Sequence, residues 1–262
     1  MKTNGKQPGW MVVLSTEARH LWLGRQGPLL LLIFSLFLSI YTTLVALDPE
    51  MNVLSPRSMT NVALQATILV GILVALLLTA NAISGERDQR SLESLMLTPL
   101  PRGQIAVGKF LATLSLWLGM IPIAIPYIVL VAKSTSLVPQ AILLLIFLGS
   151  LLVMLCAGIG ILISSFASSN LVSFTASFTT ILLLAAPTQL PTSVKELPAV
   201  NWFIIFNPIT AIAKFQAGIL DGAVWNQELG LLISPILLLI LIVALGPAFL
   251  NRRLSLQGGF EQ

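Results

Sequence analysis

The chain has 262 residues, of which 56% are hydrophobic and 9% charged, against about 25% charged in an ordinary soluble domain. With a mean hydropathy of +0.95 it has too few charges to cover a water-facing surface of this size, whereas lipid wets most of the outside of an integral membrane protein. The net charge of +4 comes from basic residues lying mainly between apolar runs, which reads as membrane orientation; no aromatic-rich basic patch points to nucleic acid as a partner.

The single cysteine, Cys156, excludes a disulfide within the chain, and Cys156 with the single histidine, His20, cannot form a Cys/His metal site. Six runs supply the ~20 apolar residues that a membrane-crossing helix needs. They cover residues 28–47, 62–83, 110–132, 140–163, 171–188 and 230–250. The expected fold is an all-α integral membrane protein, with residues 1–262 forming one transmembrane domain.

Residues 1–27 read as a cytoplasmic leader. In WMVVLSTEARHLWLGR (10–25), Trp10, Leu14, Ala18, Leu21 and Trp22 share a face at helical spacing. Glu17 and Arg25 sit close to that face and spoil the pattern. A helix on the inner membrane surface and a leader packed on the domain are both open readings. Lys2, Lys6, Arg19 and Arg25 ahead of the first apolar run imitate a signal peptide. The leader is long, however, the run is full-length and no A-x-A-like site follows, so the run is read as a retained span.

Between the second and third spans lies a loop unlike the rest, residues 84–109, with Glu86, Arg87, Asp88, Arg90, Glu93, Arg102 and Lys109. Ser91 is a candidate N-cap for a short helix. Leu92, Leu95 and Met96 fall on one face of it, and Pro99 and Pro101 end it. Such an element can pass force from a soluble partner to the spans; an ordinary interfacial loop helix is the plainer alternative. Gly103, Gly108 and Lys109 stand at G-x-x-x-x-G-K spacing, but Phe110 occupies the position where a phosphate loop needs Ser or Thr. Two prolines precede the loop and a span follows it, so Lys109 is read as a basic residue at the cytoplasmic rim of the third span.

Pro122 and Pro126 lie inside the third span and can bend it. Residues 156–165 (CAGIGILISS) are rich in small residues that permit close helix approach. The turn SSFASSN (164–170) separates the fourth and fifth spans. Residues 200–220 are long enough to cross the membrane but contain Lys214 and Asn207-Pro208. A mid-helix Lys costs about 2.5–3.5 kcal/mol on the insertion scale, so residues 189–229 are read as an outer-face segment with a re-entrant helical element. Trp202 and Trp225 suit the membrane–water interface.

Six spans with both ends in the cytoplasm place ten basic residues inside: Lys2, Lys6, Arg19, Arg25, Arg87, Arg90, Arg102, Lys109, Arg252 and Arg253. Arg57, Lys133, Lys195 and Lys214 fall outside. The inverse topology reverses the count, so the positive-inside rule selects N-in and C-in.

On these motifs the chain resembles the permease subunit of type-2 ATP-binding-cassette (ABC) transporters. The family's pattern is an acidic–basic pair after the second span, a short helix, Thr-Pro, and an Arg-to-Gly-Lys run opening the third span. Here these are Glu86-Arg87, SLESLMLTPL, Arg102 and Gly108-Lys109. FNPITAIAKFQAGIL (206–220) is similar to the outer segment before the last span in such permeases. Where the family usually has Gly-Thr ahead of Leu-Glu, Gln89-Arg90-Ser91 stands here.

The resemblance implies a homodimer or heterodimer of permeases and a separate ABC ATPase subunit docked on the charged loop, within the cell membrane of a bacterium. Glu86, Arg87, Arg90, Leu92, Glu93, Leu95 and Met96 would couple to that ATPase. The chain itself would bind no cofactor and catalyse nothing; ATP and magnesium would sit on the partner. Export is the favoured direction.

The family's second and fifth spans line the substrate path, which makes Asn61, Gln65, Thr67, Thr79, Asn81, Ser173, Thr175, Ser177 and Thr179 candidates. Ser and Thr can equally satisfy their own helix carbonyls. No ionisable residue lies deep in a span, which argues against an ion-coupled transporter and favours an apolar or lipid-like cargo. An intramembrane enzyme lacks a nucleophile–base or carboxylate pair at depth. A membrane anchor for a cytoplasmic partner is the remaining alternative.

Overall fold

The computed structural model describes residues 8–48, 55–88, 102–132, 136–190, 194 and 197–257. Among them there are helices and no strand, and six helices are long and apolar enough to cross a membrane. A leader helix, α1 (Gly9–Leu23), turns at Gly24 into the first span, α2 (Gln26–Leu47). The second span is α3 (Pro56–Asp88) and the third is α4 (Arg102–Ala132). The fourth joins α5 (Leu137–Leu144), a π-helical turn at Leu145–Gly149, and α6 (Ser150–Phe166). The fifth is α7 (Asn170–Gln189). Two shorter helices follow, α8 (Pro198–Phe206) and α9 (Pro208–Asp221). The short α10 (Trp225–Glu228) and a 3-10 turn lead into the last span, α11 (Ile233–Gln257).

The core lies between α3, α4 and α6, where Leu64, Leu76, Leu116, Met120, Leu148 and Leu155 are fully enclosed. By contrast α2 buries little beyond Gly27, Phe34 and Leu38 and presents Leu29, Leu32, Leu36, Leu44 and Leu47 outward, as lipid permits. Trp117 fixes the three central helices. Its ring lies where a Cβ on Gly71 of α3 would be 2.2 Å away, and one on Gly149 would be 2.8 Å away. Its Nε1 donates to Ser150 Oγ (3.0 Å). Gly149 closes the π-helical turn and Ser150 follows it, so that irregularity sits where the fourth span meets the indole. An extra residue in one helical turn shifts side-chain directions.

Several expectations need correction. The helix of the second span extends beyond the apolar run 62–83, from Pro56 to Asp88, so Arg57 is helical. The fourth span runs to Phe166, which makes Ser164 and Ser165 helical and leaves Ala167, Ser168 and Ser169 as the turn. Hydroxyls bonded to helix carbonyls cost the helix little, so serines alone do not end it. Trp225 meets Phe215 edge to face (5.5 Å between ring centres) and is half-buried, whereas Trp202 is 64% exposed and stacks on Phe206.

The leader packs along the N-terminal half of α4. A Cβ on Gly108 would meet Val13 at 2.7 Å, and one on Gly119 would meet Trp22 at 2.4 Å. Both glycines let the helices close, and Trp22 Nε1 donates to Ser115 Oγ (3.1 Å).

The outer segment is broken, as its Asn-Pro suggests. α8 and α9 meet at 72°. Asn207 builds the elbow: its Oδ1 accepts from the amides of Ile209 (2.9 Å) and Thr210 (3.2 Å), and its Nδ2 donates to the Leu184 carbonyl (2.8 Å). Pro208 takes the first helical position, where no amide donor is required. Lys214 is exposed. Gly222 ends α9 with φ +104°, a left-handed C-cap that glycine adopts freely.

Candidate transmission site at the base of the charged loop

α3 enters the charged loop at Asp88 and α4 leaves it at Arg102. Lys109 joins the two sides: its ammonium lies 2.6 Å from Glu86 Oε1 on α3 and 2.8 Å from Glu17 Oε1 on α1. The lysine side chain is 10% exposed, Glu86 21% and Glu17 34%. One cation between two carboxylates leaves the cluster with a single net negative charge. A recess of about 310 Å³ opens beside it, bordered by His20, Gln26, Asn81 and Thr113.

The other flank of the same α3 end is tied to the turn between α6 and α7. Arg87 donates to the Ala167 carbonyl, and Asp88 Oδ2 accepts from the Asn170 amide (2.8 Å). That carboxylate stands at the N-terminus of α7, where the helix dipole favours negative charge. Beneath it lies a buried hydroxyl cluster. The Ala80 carbonyl accepts from Ser84 Oγ (2.6 Å), Ser164 Oγ (2.8 Å) and Ser173 Oγ (2.7 Å). Ser164 Oγ also accepts from the amides of Ile83 (3.1 Å) and Ser84 (3.0 Å). Spans two, four and five are thus bonded together just inside the point where the loop begins.

Of the predicted coupling residues, Glu86 and Arg87 stand in this assembly. Arg90, Leu92, Glu93, Leu95 and Met96 lie outside the described residues. Glu17, Lys109, Ser164 and Asn170 belong to the assembly but were not predicted for it. Glu17 left a trace in the sequence, as the acidic residue interrupting an otherwise apolar leader face. Ser164 left none, since its partners lie 80 and more residues away.

The predicted path residues separate into groups. Thr67 and Thr79 are buried and donate to carbonyls of their own helix, Ala63 and Ala75 (both 2.8 Å). Ser173 is consumed by the Ala80 carbonyl. Thr175 is exposed and bonds Leu171 in its own helix (2.9 Å). Thr179 and Asn81 are exposed. Ser177 Oγ is a buried side-chain oxygen with no hydrogen-bond partner among the described residues. Asn61 and Gln65 meet an unpredicted residue, Gln216 of α9, which is 1% exposed and donates to Asn61 Oδ1 (2.7 Å) and to the Asn61 carbonyl (3.1 Å). Next to them a cleft of about 560 Å³ runs between α3, α7 and α9, with Ile68, Ile72, Ile181 and Ile212 in its walls and Gln65 and Gln216 among its polar residues.

Among the described residues no three His, Cys, Asp or Glu side chains gather as a metal site. The charged assembly joins helices and can carry displacement between them. This arrangement of six apolar helices is that of a multi-pass membrane protein. A family model described as ABC-2 family transporter protein matches residues 18–251, and the chain belongs to that family. It is a permease subunit, of a kind that normally works with an ATPase carried on a separate subunit. A comparison with curated proteins finds no match.

Proposed function

We propose that this permease forms half of an ATP-driven exporter in the cell membrane, paired with a second permease and with a cytoplasmic ABC ATPase seated on residues 84–109. The Lys109 bridge is the observation that carries this reading. It closes the base of the loop, so displacement of the loop is shared by α3, α4 and the leader instead of being absorbed at a hinge. The Arg87 and Asp88 contacts extend the same displacement to α6 and α7. Export is the favoured direction, by the family resemblance. The cleft between α3, α7 and α9 has aliphatic walls, which supports an apolar or lipid-like cargo.

The test is co-purification of the tagged chain in mild detergent, beside a Glu86→Lys, Leu95→Asp variant. An ATP-hydrolysing subunit should elute with the native chain and be lost from the variant. Basal ATP hydrolysis by the complex in vesicles should rise when cargo is present. A stable native chain that retains no ATPase refutes the proposal, and an ATPase that binds but shows no cargo stimulation points to an anchor.

A further inference from the structure

Gln216 on α9 is 1% exposed, and both N–H groups of its carboxamide are committed to α3. Nε2 donates to the Asn61 carbonyl (3.1 Å) and to Asn61 Oδ1 (2.7 Å). A backbone carbonyl only accepts, so the nitrogen of Gln216 must face α3 and its Oε1 must face elsewhere. No described residue donates to that oxygen, and unlike the Oγ of Ser177 it is not sealed in the interior. It opens instead on the cleft of about 560 Å³ that Gln216 lines between α3, α7 and α9.

The cleft has a polar end and an apolar body. α3 and α9 run in opposite senses here, Arg57 meeting Asp221 and Asn61 meeting Gln216. Gln65 therefore stands beside Gln216, and its Nε2 reaches the same Asn61 Oδ1 at 3.4 Å, a long bond made by an exposed side chain. Ile68 and Ile72 follow Gln65 along α3, and Ile212 and Ile209 precede Gln216 along α9, so hydrocarbon lines about 10 Å of each helix beyond the amides. No charged side chain lines the cleft. A charged headgroup drawn into it would lose water without gaining a partner, which costs far more than burying a neutral group that is hydrogen-bonded. A hydroxyl both donates and accepts. It can donate to Gln216 Oε1 and accept from Gln65 Nε2 in return.

We infer that this cleft selects an uncharged amphiphile with a hydroxyl head, its hydrocarbon lying along Ile68, Ile72, Ile209 and Ile212 and its hydroxyl donating to Gln216 Oε1. That the bound molecule is cargo rests on the exporter reading proposed for this permease; that a hydroxyl is selected rests on Gln216. Aliphatic walls alone would take any acyl chain, so Gln216 sets the specificity.

The test measures equilibrium binding of labelled probes to the full chain in lipid nanodiscs, with empty discs as the blank. The probes share one acyl chain and differ in the head: monolauroylglycerol carries hydroxyls, methyl laurate has no donor, and lauroyl lysophosphatidic acid adds a charge. The native chain should bind monolauroylglycerol about fivefold or more tightly than methyl laurate, the worth of one neutral hydrogen bond, and more tightly than the lysophosphatidic acid. Gln216→Met keeps the length of the side chain without its carbonyl oxygen. It should bring monolauroylglycerol down to the level of methyl laurate and leave methyl laurate unchanged. Should that variant fail to fold, having lost the Asn61 bonds as well, Ala213→Phe serves instead: Ala213 lines the same cleft one turn before Gln216, and binding of both neutral probes should be lost. Equal binding of the neutral probes by the native chain, or a preference for the lysophosphatidic acid, overturns the inference. So does a folded Gln216→Met variant that keeps the preference, or an Ala213→Phe variant that binds undiminished. ATP hydrolysis by the complex is read separately. Preferential binding with no rise in hydrolysis supports the hydroxyl selectivity and refutes the exporter reading, whereas a co-purifying ATPase beside equal binding refutes the selectivity alone.

Discussion

Replacing Lys109 with Met removes the cation that holds Glu17 and Glu86 together while keeping most of the side chain's length. Breaking a buried ion pair by deleting one partner costs about 3–5 kcal/mol, because the other charge is left without compensation. Here two carboxylates lose the same cation, which raises the penalty. Both keep access to water, Glu17 at 34% and Glu86 at 21% exposure, which lowers it. The balance gives about 2–3 kcal/mol for Lys109→Met. Glu17→Gln leaves the Glu86 pair intact and should cost about 0.5–1 kcal/mol. In the double variant only one carboxylate loses the cation, so the combined loss should fall short of the sum of the single losses by about 1 kcal/mol. Thermal or denaturant unfolding of the detergent-purified chain, run as a double-mutant cycle, measures each figure. Lys109→Arg, which keeps the charge, is the control. A Lys109→Met variant within about 0.5 kcal/mol of the native chain, or a cycle with no coupling, would refute the reasoning.

The same unfolding assay checks three further expectations. Ser164→Ala withdraws one hydroxyl from the Ala80 carbonyl and from two amides and should cost about 1–2 kcal/mol, whereas Ser165→Ala, whose hydroxyl bonds only Leu162 in its own helix, should be near neutral. Gly71→Val drives a side chain into the Trp117 ring; overpacking of this kind costs about 1–3 kcal/mol, and Trp117→Leu in the same chain should recover part of it. Asn207→Asp keeps the cap on α9 but loses the donor to Leu184, so it should fall between the native chain and Asn207→Ala, which loses about 1–2 kcal/mol.

What was legible in the sequence followed from chemistry that acts locally. Hydrophobic run length located all six spans, because a helix must satisfy its backbone within lipid and needs a fixed length to cross it. Asn207-Pro208 announced the elbow between α8 and α9, since an Asn cap and a Pro at the first helical position are local geometry. Helix ends were less legible. Apolar length marks only the hydrocarbon, and α3 continues past it at both ends with polar residues that water can solvate.

The charged assembly was half legible. Glu86 and Arg87 stood out as charges beside a span, but their partners are set by how helices from distant parts of the chain pack. Lys109 drew notice through a glycine spacing that proved irrelevant, and its actual role depends on Glu17, 92 residues earlier. The serine cluster was illegible for a related reason: the Ser173 hydroxyl bonds the Ala80 carbonyl of a neighbouring helix, a partner that no local pattern announces.

α3 is a single helix of 33 residues, about 50 Å long. At one end Glu86, Arg87 and Asp88 are fastened to α4 and to the α6–α7 turn. At the other, Arg57 donates to the Asp221 carbonyl (2.8 Å) and Asn61 holds Gln216, both on α9. A rod clamped in this way behaves as a lever across the bilayer. A tilt of about 5° carries its far end about 4 Å over that length, more than a hydrogen bond can stretch. Small displacements at the Asp88 end must therefore either drag α9 along or release it from Asn61.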